Sequence, residues 1–336
     1  MRPSFQTHLA NGVFEDPVLY VDFVFEKRAL LFDAGNLRNL GARKLLRVSD
    51  VLISHAHMDH FSDFDWLLRL MVGRDKTLRV VGPAGLIRHI EHKLSAYSWN
   101  LVHNYSDDLV VAVTEVVSDS EGKQACFRCR DGFRRRSERH IEFNGGVIID
   151  ESAFRIRAAV FEHDIPCLGY CLEEKQHVNV WKNRLEALQL RVGPWLRELK
   201  QAVFESKSDD TLIRVWWKDN EVVSERFLPL GMLKREILRM VSGQKVGYLV
   251  DIAYNESNRR KAVALFHGCD LFFIECAFMQ EHFDIAASRN HLTTHQAGLI
   301  ANAACAKRVV PIHFSPRYSD REQLLRAEVD AALAVR

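Results

Sequence analysis

Apolar and polar positions along the chain follow two periods, and the change from one to the other divides it. Residues 18–32 are mostly β-branched and aromatic apart from a charged break at Glu26-Lys27-Arg28, which predicts a hairpin ending at Asp33-Ala34-Gly35. Residues 50–54 read as a short buried strand, and 63–72 space their apolar side chains as a helix does. Strand-like runs return at 78–81, 109–117, 147–149 and 154–161. The last third alternates: strand 246–250, helix 257–266, strand 271–274, helix 294–306, strand 308–312. These are two βαβ units, which cross over right-handed and collect ligands at the carboxyl ends of their strands. All three strands end in a residue with metal or acid chemistry, namely Asp251, Glu275 and His313.

Residues 176–243 have another texture. They hold charge-rich helical pieces, Gly193-Pro194 and the pair Trp216-Trp217, and then the alternation resumes. The expected organisation is therefore one domain formed by 1–175 and 244–336, with 176–243 as an inserted arm.

Composition narrows the classes. With 47% apolar and 27% charged residues the chain is of the soluble globular type, which excludes collagen-like, coiled-coil and globally disordered proteins. Lys and Arg number 46 against 44 Asp and Glu, so a polycation is excluded and any nucleic-acid binding has to be local. No apolar run approaches the ~18–20 residues that span a bilayer. His8, Glu15 and Asp16 fall where a signal peptide needs an apolar segment. The seven scattered Cys suit a reducing compartment, and a cytoplasmic location is expected.

The chain also has 15 His, and their placement carries the chemistry. Directly after the buried strand 50–54 comes His55-Ala56-His57-Met58-Asp59-His60. His55 and His57, two apart on extended backbone, project to one side, and the following turn presents Asp59 and His60. Mixed imidazole and carboxylate ligands suit Zn²⁺, with Mn²⁺ or Fe²⁺ as alternatives at a two-metal site. His163, Asp251 and His313, each at the end of a predicted strand, would complete two coordination shells.

Beyond that point the sequence resembles the metallo-β-lactamase superfamily, and within it the ribonuclease Z family. The resemblance runs through His55-Ala56-His57-Met58-Asp59-His60, His163-Asp164-Ile165-Pro166-Cys167-Leu168-Gly169-Tyr170, Asp251, and Ile274-Glu275-Cys276-Ala277-Phe278. It continues through His291-Leu292-Thr293-Thr294 and Pro311-Ile312-His313-Phe314-Ser315-Pro316-Arg317-Tyr318. It implies an α/β fold, a four-layer αββα sandwich with an inserted arm, and two Zn²⁺ per chain. His55, His57 and His163 would hold one ion and Asp59, His60 and His313 the other, with Asp251 bridging. Asp59 would orient the attacking water, and His291 paired with Glu275 would protonate the leaving 3′-oxygen. The implied reaction is removal of 3′ trailers from precursor tRNA by a homodimer, with Gly193-Pro194 similar to a segment of the family's tRNA-binding arm.

Three segments depart from the family pattern: Phe5-Gln6-Thr7-His8-Leu9-Ala10-Asn11-Gly12 at the start, Phe61-Ser62-Asp63-Phe64-Asp65 after the Asp-His pair, and Leu249-Val250-Asp251-Ile252. These are substrate-contacting loops, so two rival expectations stand: a small-molecule phosphodiesterase or lactonase-type enzyme of the same superfamily, and a metal-stabilised RNA-binding protein without turnover. Arg134, Arg135 and Arg136, in the densest basic run, are candidate phosphate contacts or a solvated hairpin tip, and Arg317 is a further candidate. Cys126 and Cys129 form a lone CxxC, too few ligands for a structural zinc. Trp216-Trp217 offers base stacking or packing within the arm, the latter favoured.

Overall fold

In the computed structural model, residues 4–219 and 222–334 are described. The strands are β1 (Phe5–Leu9), β2 (Leu19–Phe23), β3 (Ala29–Phe32), β4 (Val48–Leu52), β5 (Lys76–Pro83), β6 (Leu109–Val116), β7 (Glu121–Arg128) and β8 (Arg135–Glu142), which form one sheet in that order. Its centre, from β3 to β6, is parallel, while β1–β3 and β6–β8 are antiparallel. A second sheet holds β9 (Val147–Asp150), β10 (Phe154–His163), β11 (Ile165–Glu174), β16 (Lys245–Leu249), β17 (Leu271–Glu275) and β18 (Val309–Ile312) in the order 18-17-16-11-10-9. Its last three strands are parallel, as the two βαβ units require.

Alternation decides which face each side chain serves. Ala29 and Leu31 of β3 join Leu109, Val111 and Val113 of β6 in a core under the helices Phe64–Met71 and Leu86–Ser95. On its other face, Phe32 stacks on Tyr248 of β16 at 5.3 Å between centroids and meets Tyr170 of β11 at 5.8 Å. The Tyr170 hydroxyl donates to the carbonyl of Ile53, so the two sheets face one another with their polar tips satisfied. A further core lies beneath the helices Glu256–Phe266, Thr294–Ala303 and Glu322–Leu333. A Cβ on Gly298 would come within 2.5 Å of Ala332, so the last two helices pack at a distance only glycine permits. Helix, sheet, sheet, helix is the expected αββα order.

The described chain divides into two compact units: 5–149, 156–172 and 245–334 in one, and 4, 150–155, 173–219 and 222–244 in the other. The smaller unit has its own apolar core of residues between Val178 and Ile237, with Trp195 fully buried. Beside the helices Lys182–Ala187, Trp195–Phe204 and Leu230–Ile237 it contains two antiparallel pairs, β12 (His177–Val180) with β15 (Leu238–Val241) and β13 (Leu212–Asp219) with β14 (Val222–Pro229). These strands are absent from the sequence reading. The doubled Trp216-Trp217 breaks the period-2 pattern of Ile213 and Val215 that would reveal β13. Both tryptophans pack partly against the unit's core. Among the described residues, no helix is long and apolar enough to cross a membrane.

Candidate metal centre

Strand ends build the site. Asp33 follows β3, Ser54 and His55 follow β4, His163 ends β10, Asp251 follows β16, Glu275 ends β17 and His313 follows β18. Asp33, Asp251 and His313 adopt left-handed backbone, with φ of 60°, 52° and 58°, which turns each side chain sharply off its strand. His57 is the N-cap of the short helix Met58–Phe61, which carries Asp59 and His60. Gly35 lets the loop after β3 lie on that helix, since a Cβ there would sit 1.8 Å from the Asp59 carbonyl oxygen. The His60 carbonyl in turn accepts from the amide of Ala34.

These side chains converge in overlapping groups. His55, His57, His163 and Asp251 can offer ligand atoms all within 4.8 Å of one another, and so can Asp59, His60, Asp251 and His313. Asp251 belongs to both. Its Oδ2 is 3.4 Å from His55 Nε2, 3.2 Å from His60 Nε2 and 3.7 Å from His163 Nε2, while Oδ1 is 2.8 Å from His313 Nδ1. Asp59 Oδ2 is 3.3 Å from His60 Nε2 and 3.5 Å from His313 Nε2. Glu275 Oε2 lies 2.9 Å from His291 Nδ1, its Oε1 accepts from the amide of Ile252, and Asp251 Oδ1 is 3.7 Å from the same imidazole nitrogen.

The donor set fits a cation. His55 Nε2, His60 Nε2, Asp251 Oδ1 and His313 Nδ1 are buried with no hydrogen bond of acceptable geometry, despite the short Asp251–His313 approach. Each such orphan costs about 1–3 kcal/mol unless something coordinates it. Burial pushes His55 down to about 2, helped by the neighbouring His60, so its imidazole is a neutral ligand. His57 is lowered for the same reason, with His163 adding to it. At His60 burial also opposes the charge, but Asp251 and Asp33 outweigh it and the group is raised; at His313 Asp251 and Asp59 do the same, up to about 10. Burial would raise the Asp59 carboxyl, yet the contacts from His313 and His60 hold it below its usual range. Protons here balance carboxylates, and a divalent ion bound among these atoms would displace them.

No protein-family model matches the chain. Ribonuclease Z from Deinococcus radiodurans is 30% identical over 303 residues, covering 89% of this chain and 86% of that one. The chain belongs to the ribonuclease Z family. Ribonuclease BN from Proteus mirabilis is 27% identical over 83% of this chain and 75% of its own length. Two solved structures share the fold: the metallo-β-lactamase fold protein YhfI from Bacillus subtilis, with TM-score 0.54, 15% identity and 98% and 93% coverage, and the short form of human tRNase Z, with TM-score 0.52, 17% identity and 94% and 93% coverage. As a member of this family the protein is a metal-dependent hydrolase.

Of the residues singled out from sequence, His55, His57, Asp59, His60, His163, Asp251, Glu275, His291 and His313 come together. Arg317 is not among the residues that line the cavity at His291 and His313; its guanidinium lies 5.6 Å from the ring of Phe278, which does line it. Arg134, Arg135 and Arg136 do not join them. They precede and begin β8, the edge strand four places from β4, about 19 Å away at ~4.8 Å per strand. Arg135 pairs with Glu91 and Glu138, and Arg136 with Asp131. Cys126 and Cys129 belong to no metal-capable group among the described residues, and burial raises both thiols.

Sequence reasoning missed Asp33. Fully buried, it accepts from the Ser54 amide and hydroxyl, from the Tyr248 hydroxyl at 2.7 Å, and contacts His60 Nδ1 at 2.8 Å. That contact orients the ring so that Nε2 faces the centre, the usual second contact of a metal-binding imidazole. His163 Nδ1 is fixed likewise by the carbonyl of Asn290. The signal was available, because Asp33 ends a buried strand just as Asp251 does, but Asp-Ala-Gly also reads as a turn.

Proposed function

We propose that this ribonuclease Z family member cuts 3′ trailers from precursor tRNA endonucleolytically. His55, His57 and His163 would hold one zinc ion, Asp59, His60 and His313 a second, with Asp251 shared. The observation that carries the reading is Asp251 standing in both ligand groups with the Glu275–His291 pair against it. Two ions bound there would lower the pKa of water and neutralise charge on the phosphate. Asp59, whose carboxylate is 43% exposed, accepts a hydrogen bond from the attacking water and so orients it, the water's proton passing on to solvent. Burial opposes charge on His291, but Glu275 outweighs it and raises the group, so the imidazolium donates its proton as the P–O3′ bond breaks. The products are a 3′-hydroxyl on the tRNA and a 5′-phosphate on the trailer.

The relatives do not favour a small-molecule phosphodiesterase, a lactonase, or an RNA-binding protein without turnover. We assign residues 176–243 as a substrate-binding arm and the protein as a cytoplasmic homodimer, on the family resemblance and on seven free cysteines. Incubation with a 3′-extended precursor tRNA should give a cut after the discriminator nucleotide. Asp59→Ala should abolish cleavage and keep the far-ultraviolet dichroism, and undiminished cleavage by this variant would refute the mechanism.

A further inference from the structure

Beside His291 and His313 opens a cavity of about 240 Å³, whose walls carry charge of both signs. Arg289 lines it and makes no ion pair or side-chain hydrogen bond among the described residues. Glu15 and Asp16 line it from the segment before β2, and Phe14, Phe278 and Phe314 add aromatic surface. Glu15 accepts from the amide of Gly12 and so holds its own turn. Among the described residues the Asp16 carboxylate makes no hydrogen bond or ion pair, although Arg289 lines the same cavity. The segment is anchored: the amide of Phe314 donates to the carbonyl of Val13, Phe14 meets the Phe314 ring at 5.5 Å, and the Asn11 side chain donates to the carbonyl of Asp16.

A carboxylate at the wall of a phosphodiesterase cavity repels phosphate and suits a hydrogen-bond donor instead. A nucleoside supplies one, because its ribose hydroxyls and exocyclic amino groups are hydrogen-bond donors and its base is a stacking surface. At about 240 Å³ the cavity is too small to enclose more than one nucleotide unit. His291, which protonates the leaving 3′-oxygen, lines this cavity, so the unit is the one bearing that oxygen.

We propose that Asp16 reads the nucleoside whose 3′-oxygen leaves, by accepting a hydrogen bond from its 2′-hydroxyl or from its base amino group, while Arg289 takes its 5′-phosphate. The proposal rests on the phosphodiester reading of the site and adds a specificity residue to it. Adenosine 5′-monophosphate has the free 3′-hydroxyl end of that product, so its binding to the zinc-loaded full-length protein by calorimetry is the test. Two analogues separate the donors: the 2′-deoxy nucleotide lacks the hydroxyl and purine riboside monophosphate lacks the amino group.

Wild type should bind the parent nucleotide about tenfold more tightly than one of the analogues, the worth of one hydrogen bond to a charged acceptor. Asp16→Ala should reduce that ratio to below about twofold, and Asp16→Asn, which keeps an acceptor oxygen, should restore part of it. Absence of measurable binding, equal affinity for all three nucleotides, an unchanged ratio in Asp16→Ala, or tighter parent binding once the carboxylate is gone would each overturn the assignment. Nucleotide discrimination that survives alongside failure to cut precursor tRNA would sink the tRNA reading and leave this one standing.

Discussion

Asp33 shows how far a single carboxylate reaches from a buried position. It takes hydrogen bonds from Ser54 and Tyr248 and holds the His60 ring, so removing it strands several donors and leaves His60 free to turn. Asp33→Ala should cost about 3–5 kcal/mol of stability, the usual consequence of breaking a buried charged contact, and urea unfolding measures it. Losing the contact that aims Nε2 should also weaken zinc binding by about 10- to 100-fold in a chelator competition. Unchanged zinc affinity beside lower stability would restrict Asp33 to a packing role. Asp16, by contrast, is exposed, and its replacement belongs to recognition and not to folding.

At the scale of elements, the edge strand β8 separates charge that is available from charge that is spent. Of Arg134, Arg135 and Arg136, the last two already face acidic partners. Three phosphate contacts on a duplex would move the salt slope of RNA binding by about 2.7, at ~0.9 each. Reversing all three charges should move it by less than about one, and a shift near the full value would make β8 a phosphate-binding strand. The same strand explains what the sequence hides. Parallel strands such as β16 and β17 are legible because both faces are buried and read as continuous apolar runs. β8 has almost no buried position, and its Arg-Arg-Ser-Glu-Arg-His run carries no period. β11 is hidden for another reason: it includes Pro166, Gly169 and two glutamates, and only its place between β16 and β10 buries Cys167 through Glu174. The candidate site was more legible than the strands because ligand types recur at strand ends whatever the strand composition. Its outer contacts were not, since Asp33 and Asn290 act through geometry that a linear chain does not display.

At the scale of the whole molecule, the smaller unit has an apolar core of its own. Among the described residues the smaller unit's core draws on residues between Val178 and Ile237, and its longest segment, 173–244, is closed near its ends by the Glu174 amide donating to the Gln244 carbonyl and the Gln244 amide donating to the Glu174 carboxylate. Replacing 176–242 by a short Gly-Ser linker should therefore leave a folded hydrolase, active on bis-p-nitrophenyl phosphate. Cleavage of precursor tRNA should fall by about two orders of magnitude, the scale of lost positioning. Equal loss of both activities would argue against a substrate-binding arm. Asp33, Asp251 and His313 sit in left-handed backbone, which costs a residue with a side chain about 1–2 kcal/mol and glycine almost nothing. Selection for chemistry is what keeps Asp251 and His313 there. A duplicate gene freed from that selection would relieve backbone strain by drifting to glycine at 251 and 313, whereas the hydrogen bonds that Asp33 accepts outweigh its strain and keep it in place; glycine at 251 or 313 in an otherwise intact relative would mark a lineage that has given up the reaction.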